Sequence, residues 1–359
     1  MRPLRVVFAA GGTAGHIEPA LNVADVIKAK LPDAQIRFIG SAHGLENRLV
    51  PQRGYALSTV DAAPFPRSVS LNALAFPFRL RRSIHQARAL IKGSDVVVGF
   101  GGYPAAPAMI AAHRLGIPLV IHEANARAGL VNRMAARWTP HVYACDPQVL
   151  MGAQRCAMPL RSSIATLDRA ALRQPAQQAW GIDGQAVVVF GGSQGAQHLN
   201  SVLAAALPQL REHNITVIHA YGIKNEPPQA QAGYLPVPYI DDMAQAYAAA
   251  DLVIARAGAM TCAEVTAVGI PAIFIPLPIG NGEQQLNAQP IAQAGGAVII
   301  ADEELTDERL VREILPIMSD DVLRSQMAQA AESLGSPDSA HQLAQDIVAV
   351  ASQHRSSHE

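Results

Sequence analysis

Short apolar runs recur along the chain, each closed by glycine or a polar loop. Each is followed by a stretch whose apolar residues return every three or four positions. Residues 5–10 lead into Gly11-Gly12-Thr13-Ala14-Gly15-His16 and then into Leu21, Val23, Val26 and Ile27 at helical spacing. Runs of strand length follow at 36–39, 96–100, 119–121 and 141–144. In the second half, residues 186–190 precede Gly191-Gly192-Ser193-Gln194-Gly195 and a helix through Leu203 and Leu207; further runs lie at 216–220, 252–255, 272–275 and 297–300. Apolar runs without polar alternation predict strands buried on both faces. Their alternation with helices predicts parallel, doubly wound sheets. The glycine turns begin at 11 and 191, each at the first strand–helix turn of its half. The expected fold class is α/β, two tandem Rossmann-like domains with a ligand cleft between them. The expected boundaries are 1–162 and 163–338, with 339–359 a last helix free to cross back onto the first domain.

Composition narrows the setting. Of 359 residues, 50% are hydrophobic and 16% charged, which supplies a large core and excludes global disorder. Cys145, Cys156 and Cys262 are odd in number and lack metal-ligand spacing, which fits a reducing compartment. The apolar run before Gly11 is too short for a secretory signal. The uncharged stretches 184–210 and 265–282 are broken by polar loops and prolines, so neither reads as a membrane span. The chain is expected to be soluble or peripheral. Its net charge of −1 hides an asymmetry: residues 1–160 carry 18 Lys+Arg against 8 Asp+Glu, a net of +10, and the remainder is −11. The first half is therefore expected to meet something anionic. Aromatics are 5% and no nucleic-acid motif is present, so nucleic acid is not the expected partner.

Neither glycine loop has the dinucleotide or P-loop spacing. Both still allow backbone N–H groups to approach an anion at a helix start, although a ligand-free tight turn explains a single such loop equally well. The second loop also satisfies Gly-x-Ser-x-Gly, the nucleophile elbow of serine hydrolases, for which Asp251 and His341 complete a nominal triad with Ser193. No His-Gly-Gly-Gly segment precedes it, and the twin loop has no serine. Residues 122–126 begin like a zinc-protease helix, but position 126 is alanine. No Asp-x-Asp occurs, which disfavours a diphosphate held through a metal; helix dipoles, Ser193 and Arg161 would neutralise it instead. No metal and no cofactor are expected. Glu264, near a helix start, suits a vicinal diol, and the amides of Gln284, Gln285 and Asn287 suit sugar hydroxyls. A dipole-favoured glutamate and a polar helix surface are the plainer readings.

Eight ordered blocks resemble one family: GGTAGH (11–16), GGY (101–103), HEANARAGLVNR (122–133), PLR (159–161), GGSQGA (191–196), YIDDM (239–243), RAGAMTCAEV (256–265) and GNGEQQLNA (280–288). They closely resemble the MurG family, the peptidoglycan N-acetylglucosaminyltransferases that act on undecaprenyl-linked muramyl pentapeptide. The resemblance implies a GT-B glycosyltransferase whose second domain binds UDP-N-acetylglucosamine and whose first domain binds the lipid-pyrophosphate acceptor. It places Ser193 and Arg161 at the diphosphate, Ile240 at uracil through its backbone and Glu264 at the ribose. It puts Ala259, Met260 and Thr261 along the nucleotide and Gln284 and Gln285 at the N-acetylglucosamine. Thr13, Ala14, Gly15 and Asn125 then close the site, and His16 stands where the family carries a proposed general base. Two departures stand out: GGTAG replaces the commoner GGTGG, and 280–283 lacks the basic residues that some members carry.

The implied activity is inverting transfer of N-acetylglucosamine to the 4-hydroxyl of lipid-linked muramic acid, at the cytoplasmic face of the plasma membrane. Other cell-wall synthesis proteins are candidate partners. Another GT-B transferase with a lipid acceptor, a Ser193 hydrolase and a non-catalytic nucleotide-sugar-binding subunit are the competing readings. A membrane patch is expected at residues 71–82, where Leu71, Leu74, Phe76, Phe78 and Leu80 lie among Arg79, Arg81 and Arg82. Pro77 is expected to divide that segment into two short helices.

Overall fold

The structure, a computed structural model, describes residues 2–63, 71–192, 196–278 and 282–357, without the side chains of 71–74. The chain separates into two compact units, residues 1–161 with 338–359, and residues 162–337.

The first unit begins β1 (Arg5–Ala10), α1 (Ala14–Lys30), β2 (Gln35–Ser41), α2 (Glu46–Gln52), β3 (Ala56–Val60) and α3 (Leu71–Ile91). It continues β4 (Val96–Gly101), α4 (Ala106–Leu115), β5 (Leu119–Glu123), α5 (Leu130–Ala135), β6 (His141–Ala144) and β7 (Gln154–Arg155). All seven strands are parallel, in the order β3-β2-β1-β4-β5-β6-β7. The central strands are buried on both faces, as their unbroken apolar runs require. Phe8, Phe38 and Phe100 fill one face, with the Phe8 and Phe38 rings stacked at 5.1 Å.

The second unit comprises α6 (Ser162–Ala165), α7 (Arg169–Trp180), β8 (Ala186–Phe190), α8 (Gln197–Glu212), β9 (Thr216–Ala220), β10 (Tyr234–Val237) and α9 (Met243–Ala249). It is completed by β11 (Leu252–Ala255), α10 (Ala259–Val268), β12 (Ala272–Phe274), α11 (Glu283–Gln293), β13 (Ala297–Ile299), α12 (Asp307–Ser319) and α13 (Asp321–Glu332). Its parallel sheet runs β10-β9-β8-β11-β12-β13. Leu199, Leu203 and Leu207 of α8 and Leu310 and Ile314 of α12 share one core with its strands. Arg169 ties α7 to the backbone, donating to the carbonyls of Tyr247 at 3.2 Å, Ala250 at 2.6 Å and Gly269 at 2.8 Å.

The last helix, α14 (Ser339–Ser356), belongs to the first unit. Leu343, Ala344, Ile347 and Ala351 enter the core against α1, and Ser339 Oγ donates to the Met158 carbonyl at 2.6 Å. Burial, together with the nearby Asp346 carboxylate, pushes the Tyr143 pKa up.

Pro77 does not divide residues 71–82: α3 is one helix through it. Proline removes a single backbone donor, whereas Ile84, Ala87 and Ile91 bury the remainder of the helix in the core it shares with Met109 and Ala112 of α4. Packing outweighs the local cost.

Leu343 is fully buried, so Leu343→Ala removes side-chain volume between α14 and α1. Urea unfolding of that variant should show a loss of about 2–5 kcal/mol. A loss well below 1 kcal/mol would mean that the helix is not part of this core.

Candidate active site

In each unit the segments of chemical interest leave the C-terminal ends of the strands. At the end of β1, Gly11 and Gly12 pass under the turn after β4. A Cβ on Gly102 (φ +80°) would lie 2.3 Å from the Gly11 carbonyl oxygen, and one on Gly11 would lie 2.7 Å from Glu46 and 2.9 Å from Pro104. Only glycine allows this approach. The fully buried Glu46 ties the turn to β2: Oε2 accepts from Gly12 N at 3.0 Å, and Oε1 from Ser41 N at 2.8 Å and Ser41 Oγ at 2.7 Å. Sequence reasoning missed this residue.

Thr13 is the N-cap residue of α1, but its side chain makes no capping bond. Its hydroxyl meets His16 Nδ1 at 2.9 Å, one turn into the helix. A Cβ on Gly101 would come within 3.4 Å of the His16 ring. Thr13 and Gly15 are exposed, while Ala14 and His16 are half-exposed. Ala14 has no positive φ, so alanine in GGTAG introduces no backbone strain.

After β5, the buried Glu123 carboxylate organises the following loop. It accepts from Asn125 N, Asn125 Nδ2, Gly129 N and Asn132 Nδ2, each at 3.0 Å. His122 is wholly buried with Nε2 3.2 Å from the Cys156 and Ala157 carbonyls, and burial lowers its pKa. Arg161 Nη2 lies 3.4 Å from Glu18, which also accepts Arg53 at 3.0 Å.

On α3, Phe78 is 78% exposed, and Arg79, Arg81 and Arg82 project into solvent, with Arg82 3.2 Å from Asp61. Leu80 packs on the core and Phe76 is half-buried. The side chains of Leu71 and Leu74 lie outside the described residues.

In the second unit, Ser193 lies outside the described residues. The helix after that loop is anchored through Asn200, which donates to the Tyr221 carbonyl at 2.9 Å and meets His219 Nε2 at 3.0 Å. His219 Nδ1 in turn faces the Tyr234 hydroxyl at 2.7 Å, and burial lowers the His219 pKa to about 4. Ile240 buries its side chain; among the described residues neither its N–H nor its carbonyl has an intramolecular partner. Helix α10 is preceded by Gly258 as its N-cap with no side-chain hydrogen bond to its first amides, and Ala259, Met260 and Thr261 are half-buried. Glu264, one turn further, is buried and accepts the Tyr247 hydroxyl at 2.9 Å on Oε2.

The first three amides of α11, Gln284, Gln285 and Asn287, divide the work. Gln284 Oε1 accepts Leu277 N at 2.9 Å and Asn287 Nδ2 donates to the Ala257 carbonyl at 3.1 Å, so both hold loops. Gln285 is exposed. Arg256 crosses the same edge, donating to the carbonyl of Ile275 at 3.2 Å and to Asp302 at 2.5 Å. Among the described residues no three His, Cys, Asp or Glu side chains converge as metal ligands.

The hydrolase triad fails on geometry. The register pairs Leu252 with Val187 and Ala255 with Phe190, so Asp251 sits at the opposite end of the strands from Gly191 and Gly192. Its carboxylate is taken by Arg173 at 2.9 Å and Ala186 N at 2.9 Å, and His341 belongs to the other unit.

Two Rossmann-like units with glycine turns and an uncapped helix start at their C-terminal strand ends form the GT-B architecture, and the family matches make the class that of glycosyltransferases. The Glycosyltransferase family 28 N-terminal domain profile matches residues 6–144 and the C-terminal domain profile residues 186–343. The chain is 48% identical to the UDP-N-acetylglucosamine--N-acetylmuramyl-(pentapeptide) pyrophosphoryl-undecaprenol N-acetylglucosamine transferase of Mycolicibacterium smegmatis, over 98% of this chain and 95% of that one. It is 47% identical to the protein of the same name from Streptomyces avermitilis, over 98% and 100%. The crystal structure of Acinetobacter baumannii MurG superposes with a TM-score of 0.77 at 30% identity, over 96% and 99%. The chain belongs to this family of N-acetylglucosamine transferases, the MurG family.

His219 makes the anchor of α8 sensitive to acid. The unfolded histidine titrates near ~6.5 and the folded one near 4, so between those values the unfolded chain binds more protons. Stability is then complete above the unfolded value and falls as pH drops through the window. Urea unfolding at pH 5 should show about 2 kcal/mol less stability than at pH 7.5 from this group, a difference that His219→Gln abolishes. Equal pH dependence in both proteins would disprove the assignment.

Proposed function

We propose that the protein transfers N-acetylglucosamine from UDP-N-acetylglucosamine to the 4-hydroxyl of undecaprenyl-pyrophosphoryl-N-acetylmuramyl-pentapeptide, with inversion, in peptidoglycan synthesis. One observation carries the reading: near-complete coverage at 48% identity to relatives named for this transfer. The second unit takes the donor. The helix start at Ala259, Met260 and Thr261 meets the nucleotide diphosphate with the positive end of α10, joined by Ser193. The unengaged backbone of Ile240 reads uracil, the Glu264 carboxylate accepts the ribose hydroxyls, and Gln284 and Gln285 read the sugar.

The acceptor oxygen attacks the anomeric carbon as the bond to UDP breaks, and its proton passes to His16. Charge develops on the departing diphosphate, and fixed dipoles at a helix start stabilise it without reorganising. Thr13 fixes the imidazole from its Nδ1 side, while Ala14, Gly15 and Asn125 complete the acceptor side. With purified lipid acceptor, UDP release and product formation should be measurable with a chelator present. His16→Ala should lower kcat by about 10²–10⁴-fold with little change in donor affinity. Near-normal kcat would demote His16 to a loop residue, and no turnover by the parent protein would sink the whole reading.

The protein works as a peripheral protein on the cytoplasmic face of the plasma membrane, beside other cell-wall enzymes. No helix among the described residues is long and apolar enough to cross a membrane. The support is the exposed Phe78 beside Arg79, Arg81 and Arg82 in a unit carrying the chain's basic excess. Each arginine near an anionic surface adds about 1 kcal/mol of attraction, screened by salt. Phe78→Ser with Arg79→Ser and Arg81→Ser should lower sedimentation with anionic liposomes and spare transfer to a water-soluble acceptor analogue. Leu80 is left intact because it packs on the core. Unchanged liposome binding would place the membrane contact elsewhere.

A further inference from the structure

Tyr247 is the largest fully buried side chain among the described residues, and its hydroxyl donates to Glu264 Oε2 at 2.9 Å. Packing alone would be served by phenylalanine: the ring stands edge-on to Phe190, with centroids 6.5 Å apart. The hydroxyl adds directed chemistry. A buried carboxylate on the second turn of α10 can rotate about its side-chain torsions, and one strong donor on one oxygen fixes its plane. The phenol is itself held. Arg169 binds the Tyr247 carbonyl at 3.2 Å, and α9 is capped by Asp242, which accepts Gln245 N at 3.1 Å. Ile240 stands two residues before that cap. One seven-residue helix thus links the segment proposed to read the base with the carboxylate proposed to read the sugar.

We propose that Tyr247 is a positioning residue for ribose recognition: its hydroxyl orients Glu264 toward the vicinal diol, making the site selective for ribonucleoside diphosphates over 2′-deoxy ones. This rests on the reading of Glu264 as the ribose ligand. A site that accepts a hydroxyl's hydrogen bond rejects an analogue lacking that hydroxyl only if the acceptor is held in place. A carboxylate free to turn would still attract the nucleotide's hydroxyls but would distinguish them poorly.

Calorimetry with UDP and 2′-deoxy-UDP tests it on the full chain. The parent should prefer UDP by about 10-fold, the scale of one hydrogen bond to a charged group. Tyr247→Phe should weaken UDP by about 5-fold and leave 2′-deoxy-UDP nearly unchanged, so that the preference collapses. In turnover, KM for the donor should rise by a similar factor while kcat falls less than threefold. With Glu264→Ala as background, adding Tyr247→Phe should change UDP affinity no further, because the phenol acts through the carboxylate. That comparison holds even if the single phenylalanine variant folds poorly, since the double variant removes both ends of the Tyr247–Glu264 hydrogen bond. If Tyr247→Phe keeps the full preference, or weakens both nucleotides equally, Tyr247 only packs and the positioning role falls. If the parent shows no preference, or Glu264→Ala retains it, the ribose role of Glu264 fails first and takes this one with it.

Discussion

A Cβ on Gly102 would stand 2.3 Å from the Gly11 carbonyl oxygen, so two backbone turns touch where side chains normally keep chains apart. This contact sets the geometry at the C-terminal edge of the first sheet. It brings the turn after β4 against the start of α1, and with it Gly101 against the His16 ring. Glu46 then holds the turn from below through Gly12 N, and the Thr13 hydroxyl turns to His16 instead of capping its helix. An imidazole held by packing on one side and a hydrogen bond on the other loses rotational freedom, which the role proposed for His16 requires.

The second unit meets the same problem with different parts. Around the start of α10, side chains with polar ends hold loops: Asn287 on the Ala257 carbonyl, Gln284 on Leu277 N and Arg256 across to Asp302. These bonds consume side-chain polarity and leave the first backbone N–H groups of α10 without a side-chain cap. Such groups carry no formal charge and suit a diphosphate whose charge changes during transfer, since they need not reorganise as it leaves. The two glycine turns share a position in the fold, and each is followed by a histidine in the first turn of its helix: His16 in α1, which meets the Thr13 hydroxyl, and His198 in α8, which meets Asp302 at 3.2 Å.

Much of this was legible in the sequence because parallel sheets write themselves as unbroken apolar runs. β1, β6, β8, β9 and β11 fall on residues 5–10, 141–144, 186–190, 216–220 and 252–255, as the pattern requires. The strands without such a signal are β3, β7 and β10, all at sheet edges. An edge strand is covered less completely, so Ser58 and Thr59 in β3 and Pro236 in β10 are tolerated and the apolar run disappears. Pro77 misled in the opposite sense, since local backbone cost was visible and the tertiary burial of Ile84 and Ile91 was not. In the candidate site, glycines and helix-start residues could be found because their chemistry is local. Glu46 could not: a glutamate in a first helical turn reads as dipole-favoured, and its partners Gly12 and Ser41 are fixed by topology.

The distribution of charge and burial connects these parts. Carboxylates that organise loops, Glu46, Glu123 and Glu264, are all nearly inaccessible, and each is satisfied by N–H or O–H donors. A buried carboxylate bound to neutral donors stays fixed, whereas one bound to a surface arginine moves with a long side chain. The arginines of α3 remain outside, exposed to solvent, and the membrane contact proposed above draws on them and not on those loops. Long-range attraction and short-range positioning thus use different residues. A lipid-borne acceptor demands that separation: the field that gathers it acts over roughly a Debye length, ~8 Å in physiological salt, while proton transfer tolerates errors of a few tenths of an ångström.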